Sequence, residues 1–219
     1  MTKQRLFETI LALESPVNVT FSHQLKLIKD PTKRSKIENM LRQVHTDNIN
    51  KPASSSGKYH PQFAHDEKGL SRHTKAVVSF AADICEAFPV LDYDTMIIAA
   101  LMHDIMKYTG GAHTSKSHAK DASEWLAKEG LKDEARLTLK HMGRWDGANE
   151  PKEFDERMLH LADYLASRQW ISVDFDENDN IIYAKDDTRR SYNKVKDLDS
   201  ELAATKYDRD FLLGKNDGF

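Results

Sequence analysis

The sequence predicts an all-α fold: a single helical domain with a small β-hairpin appendage near the C-terminus. From residue 70 to residue 170, apolar residues recur at the three-to-four spacing of amphipathic helices almost without interruption. The interruptions fall at Pro89, Gly110-Gly111, Gly130, Gly143 and Pro151, residues that end or start helices. Strand-like alternation is confined to residues 171–183, where ISVDF and IIYA flank the turn-forming ENDN. A chain of 219 residues is long enough to bury a core without staples. Its 31% charged and 39% hydrophobic residues suit helices with well-solvated outer faces.

The elements follow in order. Residues 2–14 and 32–45 read as amphipathic helices, the second opening after Asp30-Pro31. Residues 51–69, KPASSSGKYHPQFAHDEKG, form an irregular loop rich in Pro, Ser and Gly, long enough to serve function. Helices are expected over residues 70–88, 94–107, 117–128, 131–142 and 153–170, and a polar helix over 187–213. The expected organisation is therefore N-terminal helices over 1–50, a core over 51–170, and a hairpin and helix packed on it over 171–219. No internal repeat or linker divides the chain.

Composition narrows the functional classes. No run of about 18 apolar residues exists, so no span of a membrane is expected, and the N-terminus lacks the apolar core of a signal peptide. The single cysteine, Cys85, excludes an internal disulfide and suits a reducing compartment. It lies in the apolar run AADICEAF and reads as a buried small hydrophobe. The cytoplasm is the expected location, a host's cytoplasm for a phage-encoded chain. A net charge of −3 disfavours a long nucleic acid as the main partner, although a local basic groove is compatible with it.

The strongest chemical signal is LMHDIMK, residues 101–107, where His103 and Asp104 stand side by side in an apolar helix. Burying an ionisable pair is costly unless something satisfies it. Imidazole nitrogen and carboxylate oxygen together coordinate a divalent cation, whereas an isolated pair more often makes a structural hydrogen bond. The pair is not isolated. His73 stands in GLSRHTKAVV, Asp163 in MLHLADYLASR, His118 in SHAKDASEWL and His141 in KHMGRWDG, each on a separate expected helix. The run DFDENDN imitates a calcium loop but has Asp179 and Lys185 where that loop needs Gly and Glu, so it reads as a hairpin turn.

These residues resemble the HD-domain superfamily of metal-dependent phosphohydrolases. His73, His103, Asp104 and Asp163 fall on its four ligand positions, and His118 and His141 resemble the extra pair of two-metal members. HDIMK resembles the family's HDxxK form, which puts Lys107 beside phosphate. The stretch PASSSGKYHPQFAHDEKGLSRHTKAVV, and HMG followed by LHLADYLAS, are similar to small phage-type HD proteins and to the HD domain of a 3′–5′ exoribonuclease family. The resemblance covers residues 51–170, with Lys68-Gly69 where those relatives carry Gly-Gly.

The resemblance implies a cofactor of one or two divalent ions (Mn, Fe, Co, Ni or Zn), with Asp104 bridging if there are two. Such an ion lowers the pKa of a coordinated water from about 15.7 towards 7. Asp104 and Lys107 are the expected catalytic residues. Lys107, Arg168, Arg72, Arg144 and Lys140 are candidates for neutralising phosphate charge. His60, and with it His65, stands in the entry loop where it can touch substrate, and Trp145 can stack a base. His160 reads as a residue behind the ligands. The expected substrate is a small nucleotide, a nucleoside mono- or triphosphate. The alternatives are a phosphodiesterase acting on single-stranded nucleic acid or a cyclic dinucleotide, and a non-catalytic nucleotide-binding module. The sequence is compatible with an oligomer.

Overall fold

The computed structural model describes residues 15–54, 60–109, 112–113 and 117–182. The helices expected over 2–14 and 187–213 lie outside them. In chain order the elements are α1 (Pro16–Thr20), α2 (Ser22–Leu27), α3 (Pro31–Leu41), α4 (Thr46–Ile49), α5 (Gly69–Ala87), α6 (Tyr93–Met102), β1 (Tyr108–Thr109), β2 (Ala112–His113), α7 (His118–Lys128), α8 (Lys132–Lys140) and α9 (Phe154–Ala166). Short 3₁₀ segments occupy Gln62–Ala64 and Gly143–Asn149. The fold is all-α, as the sequence predicts.

Helix α6 is the axis of the bundle. Every residue from Thr95 to Met102 is buried, and a helix with no polar face must be surrounded on all sides. Helices α5, α8 and α9 pack on it, and α2 also touches it. The surrounding helices are amphipathic. Helix α5 buries Leu70, His73, Thr74, Val77, Val78, Ala81 and Cys85, and α9 buries Leu159, Ala162 and Ala166, each set at helical spacing. Each large aliphatic side chain so buried contributes about 1.5–3 kcal/mol. Cys85 is part of this core, and burial pushes its thiol up to about 12. Among the described residues no helix is long and apolar enough to cross a membrane.

Helix starts are made by local chemistry. Asp30 accepts the amides of Thr32 and Lys33 ahead of Pro31, and Asp92 accepts the amide of Thr95. Glu153 and Glu156 form a capping box at α9. Buried Glu156 also pairs with Arg136 at 2.9 Å.

Three features of the element order differ from the sequence reading. Helices α1 and α2 occupy a stretch to which no element was assigned. Val17, Phe21, Leu25 and Ile28 are buried there at helical spacing, but the pattern breaks at Phe21, whose backbone leaves the helical region. A two-stranded ribbon, Tyr108 opposite His113, replaces a simple helix stop at the Gly110-Gly111 pair. The helix expected over 94–107 ends at Met102.

The C-terminal hairpin, as far as it is described, is one bridge between Phe175 and Ile181 around a turn. Asp176 accepts the amides of Asn178 and Asn180, and Asp179 adopts φ 58°. The Asp179 carboxylate accepts Lys68 at 2.7 Å and Arg72 at 2.8 Å, while its carbonyl accepts buried Lys75 at 2.5 Å. Three cations of α5 and its cap thus hold the turn. Lys68 itself sits at φ 68°, a conformation that glycine adopts freely, and its ion pair to Asp179 offsets part of that cost. Arg72, expected to meet substrate phosphate, is instead committed to Asp179 and to Asp66 at 2.8 Å.

Gly143 adopts φ +57°, and a Cβ there would lie 2.4 Å from the His160 imidazole. We predict that Gly143→Ala destabilises the protein by about 1–3 kcal/mol in urea unfolding, combining backbone strain with displacement of His160. Wild-type stability for this variant would contradict the placement of His160.

Candidate metal centre

Two helices end on a histidine that caps its own last turn. Carbonyls in the last turn of a helix have no intrahelical partner. The His103 Nδ1 lies 2.7 Å from the Ala100 carbonyl, and the His141 Nδ1 lies 2.7 Å from the Thr138 carbonyl. Only an N–H can face a carbonyl so closely, so each ring is protonated on Nδ1 and turns its Nε2 away from its own helix. In α6 this side chain takes the carbonyl that would have accepted the Asp104 amide, and so ends the helix. Asp104 therefore stands in a turn beyond α6 rather than within it.

The six expected ligands gather into two triads, His73–His103–Asp163 and Asp104–His118–His141, the ligand atoms of each within 4.8 Å of one another. In the first, the His73 Nε2 is 3.1 Å from Asp163 Oδ1 and 3.3 Å from the His103 Nε2. In the second, the His118 Nε2 is 2.9 Å from Asp104 Oδ1 and 3.3 Å from the His141 Nε2. Asp104 spans both. Its Oδ1 faces the second triad, and its Oδ2 is 3.6 Å from the His103 Nε2 and 2.6 Å from Lys107 Nζ.

These donors fit a divalent cation. Four imidazole nitrogens and two carboxylates are a ligand set for first-row divalent ions. The other ring nitrogens of His73 and His118, their Nδ1 atoms, are buried with no hydrogen-bond partner. Protein contacts alone leave both rings half satisfied, and pack two Nε2 atoms together twice at 3.3 Å.

The electrostatics agree. Burial pushes the Asp104 carboxyl up, but Lys107, His103, His118 and His141 outweigh it and hold the group well below the usual carboxylate range. Asp163 is likewise held low, its burial outweighed by His73 and His103. Burial lowers His103 to about 4 and His60 to about 3, so both rings are neutral. His141 is raised instead, because the Asp104 hydrogen bond and charge outweigh its burial. Lys107 is raised by Asp104 in the same way.

A cleft of about 300 Å³ opens over the centre, lined among others by His60, Asp104, Lys107, Trp145, Asp163, Tyr164, Ser167 and Arg168. His60 packs edge-on against the His73 ring at 5.1 Å and faces Ser167 Oγ at 3.3 Å. The His65 ring meets the His60 carbonyl at 2.7 Å, inside the loop rather than at the cleft. His160 donates from Nδ1 to the His141 carbonyl at 2.7 Å, behind the ligands. Lys140 turns to the Glu150 carbonyl, and Arg144 is exposed outside the cleft lining. Tyr164 and Ser167 line the cleft although sequence reasoning passed over them. With His160 and Arg168 they lie at i, i+4, i+7 and i+8, a periodicity visible in the sequence.

Residues 70–168 match the family model of the HD domain. The matched segment contains all six residues of the two triads. No curated protein and no solved structure matched the chain.

The low values of His60 and His103 set a pH dependence for the metal-free protein. The ordinary histidine value is 6.5, so between pH 6.5 and about 4 the unfolded chain binds protons that these rings refuse when folded. Stability is full above pH 6.5 and falls as the pH drops through that window. Urea midpoints of metal-free protein should decline from pH 7 to pH 4.5, and more shallowly for His60→Gln. A flat profile would contradict the burial of neutral imidazoles at the centre.

Proposed function

We propose that this protein hydrolyses a phosphate ester of a small nucleotide, a nucleoside mono- or triphosphate, at the His/Asp centre. The observation that carries this reading is the sharing of one buried carboxylate, Asp104, between two histidine-containing triads at the floor of a cleft. His73, His103 and Asp163 would hold one divalent ion, and His118 and His141 a second, with one Asp104 oxygen facing each. A divalent ion bound there supplies a water of lowered pKa and charge to offset that of the phosphoryl group.

The remaining work belongs to the protein. Lys107 keeps Asp104 ionised and fixes the orientation of its Oδ2. The Nδ1–H contacts of His103 and His141 hold both rings with Nε2 turned inward. Trp145, 74% exposed, and Tyr164 offer π-faces on the cleft walls where a base can stack. The cleft volume suits a small ligand, and the net charge of −3 suits a nucleotide better than a long polyanion. The cytoplasm, where Cys85 stays a thiol, is a fitting compartment for such a substrate.

The test is a turnover screen with manganese against nucleoside monophosphates, triphosphates, cyclic dinucleotides and short single strands. A mono- or triphosphate should be cleaved, and Asp104→Ala should abolish turnover while the helical circular dichroism is kept. Degradation of oligomers alone, or activity retained without Asp104, would refute the reading.

A further inference from the structure

Arg168 is the one cleft-lining arginine whose fork is uncommitted among the described residues. Its guanidinium lies over the Tyr164 ring, Cζ 4.0 Å from the centroid. Its amide bonds the Leu165 carbonyl at 3.0 Å, which fixes its backbone just beyond α9. Its Nε is buried with no acceptor, and no carboxylate of the described residues pairs with it. By contrast Lys107 is spent on Asp104, and Arg72 on Asp179 and Asp66. A planar, always-charged guanidinium held over an aromatic ring has lost rotamer freedom in advance and suits a bidentate anion.

We infer that Arg168 is a substrate-binding residue that recognises the phosphoryl group itself and makes the site selective for phosphate monoesters over diesters. This deepens the proposed function and rests on it. The chemistry is a matter of oxygens and charge. A monoester has three non-bridging oxygens and a charge near −2, whereas a diester has two such oxygens and a charge of −1. Oxygens turned toward the His/Asp centre exhaust a diester. A monoester keeps one free, with its extra negative charge, and Arg168 stands in the same cleft to receive it. The Ser167–His60 contact and the Tyr164 ring adjoin the fork.

The test is calorimetric titration of the manganese-loaded full chain with inorganic phosphate and with dimethyl phosphate, for wild type, Arg168→Ala and Arg168→Lys. The wild type should prefer inorganic phosphate. Arg168→Ala should weaken inorganic phosphate roughly 10–100-fold and dimethyl phosphate by less than about twofold. Arg168→Lys, which keeps the charge and loses the fork, should fall between. Equal losses for both ligands, no loss for either, or a wild type that does not bind phosphate would overturn the inference.

Hydrolysis of p-nitrophenyl phosphate and of its bis-ester separates the two claims. A wild type that cleaves only the bis-ester overturns the monoester inference and leaves a phosphohydrolase. Selective phosphate binding through Arg168 with no ester cleaved under any divalent metal upholds the anion site and defeats the proposed function.

Discussion

A carboxylate buried to 3% exposure and kept ionised is costly, and the helices around it supply what offsets that cost. Isolated, such a charge would cost several kcal/mol or would simply take up a proton. Asp104 does neither because Lys107 lies against one oxygen and His118 and His141 against the other. Those partners come from different elements. The turn after α6 supplies Asp104 and Lys107, the first residue of α7 supplies His118, and the end of α8 supplies His141. The same crowding that stabilises the anion leaves the Nε2 atoms facing one another in pairs, an arrangement that a cation completes.

The supports lie one layer further out and are equally specific. Both α6 and α8 end on a histidine that satisfies its own helix with one nitrogen and offers the other inward. His160 then takes the His141 carbonyl, and Gly143 is the residue that leaves room for its ring. On the other side, the turn at Asp179 binds Lys68, Arg72 and Lys75, which pins the first turns of α5 on both sides of His73. Loop residues 51–54 are tied to the same region by the Leu70 amide on the Lys51 carbonyl and the Ala53 amide on the Ala64 carbonyl.

The fold class and the candidate His/Asp groups were legible because ionisable residues inside apolar helical stretches are improbable without a partner. His73, His103–Asp104 and Asp163 stand out for that reason. Their division into two triads was not legible, since spacing along separate helices carries no distances. Helix ends were misplaced where a side chain took over a backbone bond, as His103 does at Ala100. Arg72 was misread because its carboxylate partner, Asp179, lies 107 positions away, and nothing local announces that pairing. Helices α1 and α2 carry a readable apolar spacing, but the break at Phe21 divides it into pieces too short to assert a helix. Tyr164 and Ser167 could have been found by extending the face of His160 through the end of α9.

The central claim is that cations occupy the space between these side chains, and anomalous scattering from manganese-soaked crystals tests it most directly. The account predicts density within coordination distance of His73, His103 and Asp163, of Asp104, His118 and His141, or of both groups. Anomalous density elsewhere in the molecule, or none at the centre despite full loading, would contradict it.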